Sequence, residues 1–232
     1  MKRIITVNGI KYILVVILLL LVFNLCVTYI VRAKSSFFNV KTVIVDPGHG
    51  GRDPGKVAVN GAFEKDINLE IALKLKTFLE QGDIKVIMTR ETDIGLYSES
   101  DSNKKRADLN KRAQIIQENN ADLVVSIHQN SFHQEKYNGA QVFYYSSSQE
   151  GEALAEAIQN EIIRYAQPKT SRTPKANDAY FILKQTPCPA VIVECGFLSN
   201  WEEADRLQTK EYQEKLAWSI FMGIKNYFNE NE

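Results

Sequence analysis

Three apolar, β-branched runs in this 232-residue chain end in side chains that can ligate a metal or move a proton. Thr42 to Val45 leads into Asp46-Pro47-Gly48-His49-Gly50-Gly51, Leu123 to Ile127 into His128-Gln129-Asn130-Ser131, and Ala190 to Val193 into Glu194-Cys195-Gly196. Glu64 lies 15 residues after His49, where a helical pattern begins. Two imidazoles and two carboxylates meeting without a local basic partner make a metal site. Two histidines plus one carboxylate are the usual three-ligand catalytic zinc set, with a fourth position open to water. Zinc brings the pKa of that water toward roughly 7, and a carboxylate outside the metal shell can take its proton and pass it to a leaving nitrogen. At this level either glutamate could be the ligand. Gly48, Gly50 and Gly51 let the chain turn tightly where a Cβ would clash.

Each residue also has a plainer reading. Glu64 alone is an ordinary first-turn acid stabilised by the helix dipole, and His133 is at most a rim contact. Glu194, following Val191-Ile192-Val193, is harder to dismiss, because a carboxylate there is partly buried and needs a compensating partner. Gly50 to Val57 nearly spells a phosphate-binding loop, but Val57 replaces the magnesium hydroxyl and Pro54 removes an amide N–H. No GxSxG elbow is present.

Elements that bring these groups together are legible in the pattern. The three runs are continuous rather than alternating, as expected of strands covered on both faces in a parallel sheet. Ile84 to Thr89, Ala140 to Tyr145 and Phe181 to Lys184 are further strand candidates. Helices are expected around Ile67 to Leu79, with Gly82 as the stop, around Leu109 to Ile116, over Ala153 to Tyr165, and as one helix through Leu207, Leu216, Ile220 and Ile224. Strands alternating with helices indicate a layered α/β domain, whose ligands bind beyond the carboxyl ends of the strands. The polar stretch Glu91 to Asn103 reads as a surface loop near that edge.

Composition narrows the class. The 28 basic and 28 acidic residues cancel, which gives no electrostatic pull toward nucleic acid. Three cysteines cannot staple a disulfide scaffold, and Cys188 and Cys195, flanking an extended run, are too far apart to pair and read as buried thiols. The first 33 residues carry Lys2, Arg3, Lys11 and Arg32, no acid, and the apolar run Tyr12 to Val31. That run can cross a ~30 Å hydrocarbon layer, and its basic leading end predicts that the chain beyond Arg32 lies outside the cytoplasm. A cleaved signal peptide is the alternative. Residues 1–33 are thus expected to be a membrane anchor or signal, 34–40 a linker and 41–230 the catalytic domain. The part after Ala33 has 24 basic residues against 28 acidic, a net of −4.

Together, Val45-Asp-Pro-Gly-His-Gly-Gly51, Glu64, Ser126-Ile-His-Gln-Asn-Ser131 and Val193-Glu-Cys-Gly-Phe-Leu-Ser-Asn200 resemble the zinc-dependent N-acetylmuramoyl-L-alanine amidases of the amidase-3 type, over Val43 to about Phe228. The resemblance implies a three-layer α/β domain with a roughly six-stranded, mostly parallel sheet. It implies zinc held by His49, Glu64 and His128, with Glu194 as the catalytic acid/base, and a peptidoglycan substrate cut at the amide between the lactyl group of muramic acid and L-alanine. The family more often has alanine where this chain has Gln129, which bears on fine substrate preference. Asp46 is expected to support the ligands from behind or shape the turn rather than act directly in catalysis, and Asn130 and Arg112 to be structural, with Asn130 also placed to orient substrate. Some larger relatives insert a helix that blocks the groove; the 66 positions from His128 to Glu194 leave no room for one here. A lone domain behind one apolar segment is most similar to the germination-specific, spore-cortex amidases, and a spore protein as activating partner is left open. The competing functions are a metal peptidase acting within the stem peptide and a non-catalytic, membrane-held wall-binding protein.

Overall fold

The computed structural model describes residues 7–38 and 40–231. The chain forms two units, one ending at Val40 and the other spanning Lys41–Glu232. The first consists of helix α1 (Val7–Phe38). Its described side chains, including Leu14, Leu19 and Leu25, are exposed. Asn24 and Thr28 spend their polar groups on carbonyls of their own helix, at Leu20 and Asn24 respectively. Among the described residues, no helix is long and apolar enough to cross a membrane. Lys2 and Arg3 lie outside the described residues. The helix continues to Phe38, into the stretch 34–40 expected to be a linker.

The second unit is a six-stranded sheet between helical layers. Its strands are β1 (Thr42–Pro47), β2 (Lys85–Met88), β3 (Leu123–Asn130), β4 (Gln141–Tyr144), β5 (Lys175–Ala176) and β6 (Ala190–Phe197), in the order β2-β1-β3-β6-β4-β5. All neighbours are parallel except β4 with β6. The central strands β1, β3 and β6 carry the β-branched runs, and alternate side chains serve opposite faces. Val43, Val45, Leu123, Val125, Ile127, Val191 and Val193 pack beneath α2 (Glu64–Gln81), α4 (Gln149–Glu161) and α7 (Lys210–Glu230). Ile44, Val124 and Ile192 pack on the other face with Ile116 of α3 (Lys104–Glu118) and Ile182 of α5 (Phe181–Gln185).

Two expectations are corrected. Phe181 to Lys184 is not a strand but α5, whose Ile182 and Leu183 close the second core; a short apolar run does not by itself distinguish the two states. The sixth strand is the two-residue β5. The last helix is divided into α6 (Trp201–Leu207) and α7, because Thr209 leaves helical geometry and its hydroxyl accepts from Tyr212 N, starting a new helix. Cys195 is buried and Cys188 half-buried, both free. Burial pushes the Cys188 thiol up to about 11, so it is inert at neutral pH.

Candidate metal centre and catalytic carboxylate

Because β1, β3 and β6 are adjacent and parallel, their carboxyl ends share one edge of the sheet, and the candidate groups converge there. His128 and Glu194 are register partners on β3 and β6, so both side chains leave the sheet on the same face. Glu64, the first residue of α2, reaches the same point from the opposite layer. His49 follows β1 with φ 63, a conformation uncommon for a residue with a Cβ.

One ligand atom each from His49, Glu64 and His128 lies within 4.8 Å of the others. His49 Nε2 is 3.2 Å and His128 Nδ1 3.0 Å from Glu64 Oε1. Donors that each stand about 2.0–2.1 Å from a tetrahedral zinc are separated by roughly 3.3 Å, so this spacing suits zinc. Outer contacts fix the donors. His49 Nδ1 donates to Asp53 Oδ2 at 2.8 Å, which leaves Nε2 for a metal. Lys56 N donates to Glu64 Oε2 at 2.7 Å and Gln129 N to Oε1 at 3.1 Å.

The two glutamates are driven in opposite directions. Burial works against an ionised Glu64, but His128 and His49 outweigh it and hold the carboxyl far below the usual range. Burial raises Glu194, with Glu64 adding to the effect, against the pull of His128 and Tyr180. Such a split separates an ionised ligand from a proton carrier. Tyr180 donates to Glu194 Oε1 at 3.0 Å, whereas Glu194 Oε2 is buried without a partner. Burial also opposes a charged His49, yet Glu64 and Asp53 raise it to about 9, so a metal must displace a proton from this imidazole.

The turn that carries His49 is held from below by two buried arginines. Arg112 Nη1 donates to Asp46 Oδ1 at 2.6 Å and its Nη2 to His49 O at 2.6 Å; Arg90 donates to Pro47 O at 3.0 Å and Gly48 O at 2.9 Å. Asp46 thus shapes the turn, and Arg112 is the structural residue expected. Asn130 is likewise local, its Oδ1 accepting from Ser131 N. His133 packs at a tilt against Phe132, with ring centroids 4.1 Å apart, outside the donor cluster. Gln129 points to the α2 face, where its amide donates to Asn68 Oδ1, and Asn68 in turn donates to Gly48 O. It braces the ligand-bearing elements from behind and does not face a substrate.

The residues alone did not reveal Tyr180, Asp53, Arg90 or Gly55. Asp53 had a signal, a carboxylate four positions after a histidine. Gly55 has φ +66, and a Cβ there would lie 2.6 Å from Glu64 Oε2 and 2.7 Å from His49 Cδ2. Gly55→Ala is therefore expected to weaken zinc binding by about 10–100-fold in a folded protein, the range for disturbed outer-shell contacts. Competition with a chromophoric chelator, beside a circular dichroism spectrum, checks this.

The family model described as N-acetylmuramoyl-L-alanine amidase, Amidase_3, matches residues 43–226. The chain is 40% identical over 194 residues to the germination-specific N-acetylmuramoyl-L-alanine amidase of Bacillus subtilis (strain 168), covering 82% of this chain and 81% of that protein. Among solved structures it resembles the CwlD amidase of Clostridioides difficile, determined in complex with the GerS lipoprotein, at 43% identity and TM-score 0.80, over 82% of this chain and 99% of that one. An N-acetylmuramoyl-L-alanine amidase from Clostridium difficile 630 matches at 32% identity and TM-score 0.74, over 84% of this chain and 100% of that one.

Proposed function

Since the chain belongs to the N-acetylmuramoyl-L-alanine amidases, we propose that it is a zinc enzyme that cuts the amide between the lactyl group of muramic acid and the L-alanine of the stem peptide. The observation that carries this is the buried, partnerless Glu194 Oε2 beside a His–Glu–His donor set. His49 Nε2, Glu64 Oε1 and His128 Nδ1 would hold the ion. When bound, zinc supplies a Lewis acid for the carbonyl and a water acidic enough to ionise near neutral pH. Glu194 Oε2 accepts the proton of the attacking water while Tyr180 steadies Oε1. The raised carboxyl then gives that proton to the alanine nitrogen as the carbon–nitrogen bond breaks. Asp53 keeps His49 in the tautomer that offers Nε2. The products are a lactyl carboxylate and a stem peptide with a free L-alanine amine.

We place the reaction in spore cortex maturation. Support comes from the likeness to the germination-specific Bacillus protein and to the clostridial CwlD amidase, whose complex also makes a lipoprotein the expected class of partner. We further propose that the amino-terminal segment anchors the enzyme in the cytoplasmic membrane, with the catalytic domain outside the cytoplasm. Its support is the 20-residue apolar run of the sequence and the internally satisfied Asn24 and Thr28.

The test incubates the full chain, purified in detergent, with spore peptidoglycan and identifies the products by mass spectrometry. Stem peptides with a free alanine amine are expected, their release stopped by a chelator and restored by zinc. Products that keep alanine on muramic acid would instead mark a peptidase, and retained zinc without any cleavage a wall-binding protein.

A further inference from the structure

The polar stretch that follows β2 lies along the turn that carries His49, and its contacts advance in step with that turn. Arg90 donates to Pro47 O and Gly48 O, Gly51 N donates to Asp93 Oδ1 at 2.8 Å, and Arg52 N to the Tyr97 hydroxyl at 3.0 Å. A Cβ on Gly50 would run into Ile94 O, and one on Gly51, where φ is +60, would lie 2.7 Å from Gly95 N. These two glycines therefore make room for a second backbone as well as for the turn itself. Asp93 also reaches beyond the turn. Its Oδ2 accepts from Lys65 Nζ at 2.6 Å, and the same ammonium donates to Gly51 O at 2.9 Å. Lys65 follows Glu64 directly, and Gly51 stands two residues after His49. One ion pair thus joins the two segments that supply His49 and Glu64 to the donor cluster. The Lys65 side chain is 13% exposed and that of Asp93 46%, so one end of the pair is shielded from water and salt. Neither side chain lines the cleft beside the donors.

We propose that Asp93 and Lys65 are positioning residues for the metal centre, a clamp that fixes His49 against Glu64 and so sets how tightly zinc is held. The proposal rests on the reading of His49, Glu64 and His128 as a zinc site, and is independent of which bond is cut. Donors bind an ion well when contacts outside the ligand shell hold them at the spacing the ion requires. His49 and Glu64 need such contacts, because the first sits at φ 63 on a turn and the second opens a helix. The buried Arg90 ties Gly48 O to Lys65 O. The Asp93–Lys65 pair repeats that tie at Gly51, on the far side of His49 in the chain. With both in place, the turn is fastened to the start of α2 before and after the imidazole.

The test strips the full chain of metal and titrates it with zinc against a chromophoric competitor, with thermal unfolding recorded on the same samples. Asp93→Ala should weaken zinc binding about 10-fold, the lower end of the range for outer contacts. Lys65→Met should weaken it by a similar factor, and it carries the test where Asp93→Ala fails to fold. The double variant should lose less than the product of the two, because both substitutions open one clamp. Glu70→Ala, which breaks an ion pair with Lys74 farther along α2, should leave zinc binding unchanged. Cobalt(II) in place of zinc gives a spectroscopic reading, since its visible bands follow the coordination geometry. Those bands should change in Asp93→Ala and Lys65→Met at saturating metal. Parental zinc affinity in Asp93→Ala, losses that multiply in the double variant, or an equal loss in Glu70→Ala would overturn the clamp. So would a lowered melting temperature with zinc affinity and cobalt bands unchanged, which marks a brace of the fold alone. An unsubstituted chain that holds no zinc would instead overturn the metal centre beneath the proposal.

Discussion

Glu194→Gln should lower the rate of peptidoglycan cleavage by about 10²–10⁴-fold, the usual worth of a positioned general acid/base, without loss of zinc. The substitution keeps the side chain's shape and an oxygen to accept from Tyr180, but removes the atom that holds the proton. Zinc should stay because His49, Glu64 and His128 supply the ligand atoms. Stability points the other way from activity. A carboxyl whose folded pKa is raised contributes most when protonated and costs stability as pH rises past its unfolded value. A neutral amide in the same buried place removes that cost, so the variant should melt at or above the temperature of the parent at pH 7. Amine release, metal content and thermal unfolding are measured on one preparation. Full activity in Glu194→Gln would place the base on another residue.

Asp46→Ala should cost about 3–5 kcal/mol of folding stability, the scale of leaving a buried charge without its partner. Asp46 is 1% exposed and Arg112 2%, and the carboxylate also accepts from Thr89 and Ser126 hydroxyls. Against a typical total of roughly 5–15 kcal/mol, that loss would show plainly in urea unfolding. The same group predicts a pH dependence. Burial alone would raise Asp46, but Arg112 and the two hydroxyls lower it from 3.8 to about 2. A depressed acid contributes its stability above the unfolded pKa and loses it as pH falls through the folded one. About 2 kcal/mol should therefore disappear between roughly pH 4 and pH 2, and this acid limb should be flatter in Asp46→Ala. Activity should fall as well, because Arg112 also holds the carbonyl of His49.

Much of this site is written locally. The three continuous β-branched runs are strands because they lie at the centre of the sheet, and a parallel sheet brings their final residues to one edge. His49, His128 and Glu194 follow from that argument, and Glu64 from its place at the start of the next helix. Residues whose roles depend on distant partners are less legible. Arg90 is an ordinary polar residue in sequence, and its hold on the ligand-bearing turn is made through carbonyls more than forty positions away. Tyr180 adjoins a run short enough to pass for a strand, and only the packing of Ile182 and Leu183 makes that run a helix. Gln129 was within reach of the pattern. On a strand whose residue 128 faces the groove, residue 129 must face away, so its size bears on how α2 is held and not on what is bound.

The first strand enters the sheet at Thr42 and arrives at the ligand-bearing turn by Gly48, about 20 Å farther on at ~3.3 Å per residue. Within this unit the amino end of β1 is therefore the length of a strand away from the edge that gathers His49, His128 and Glu194.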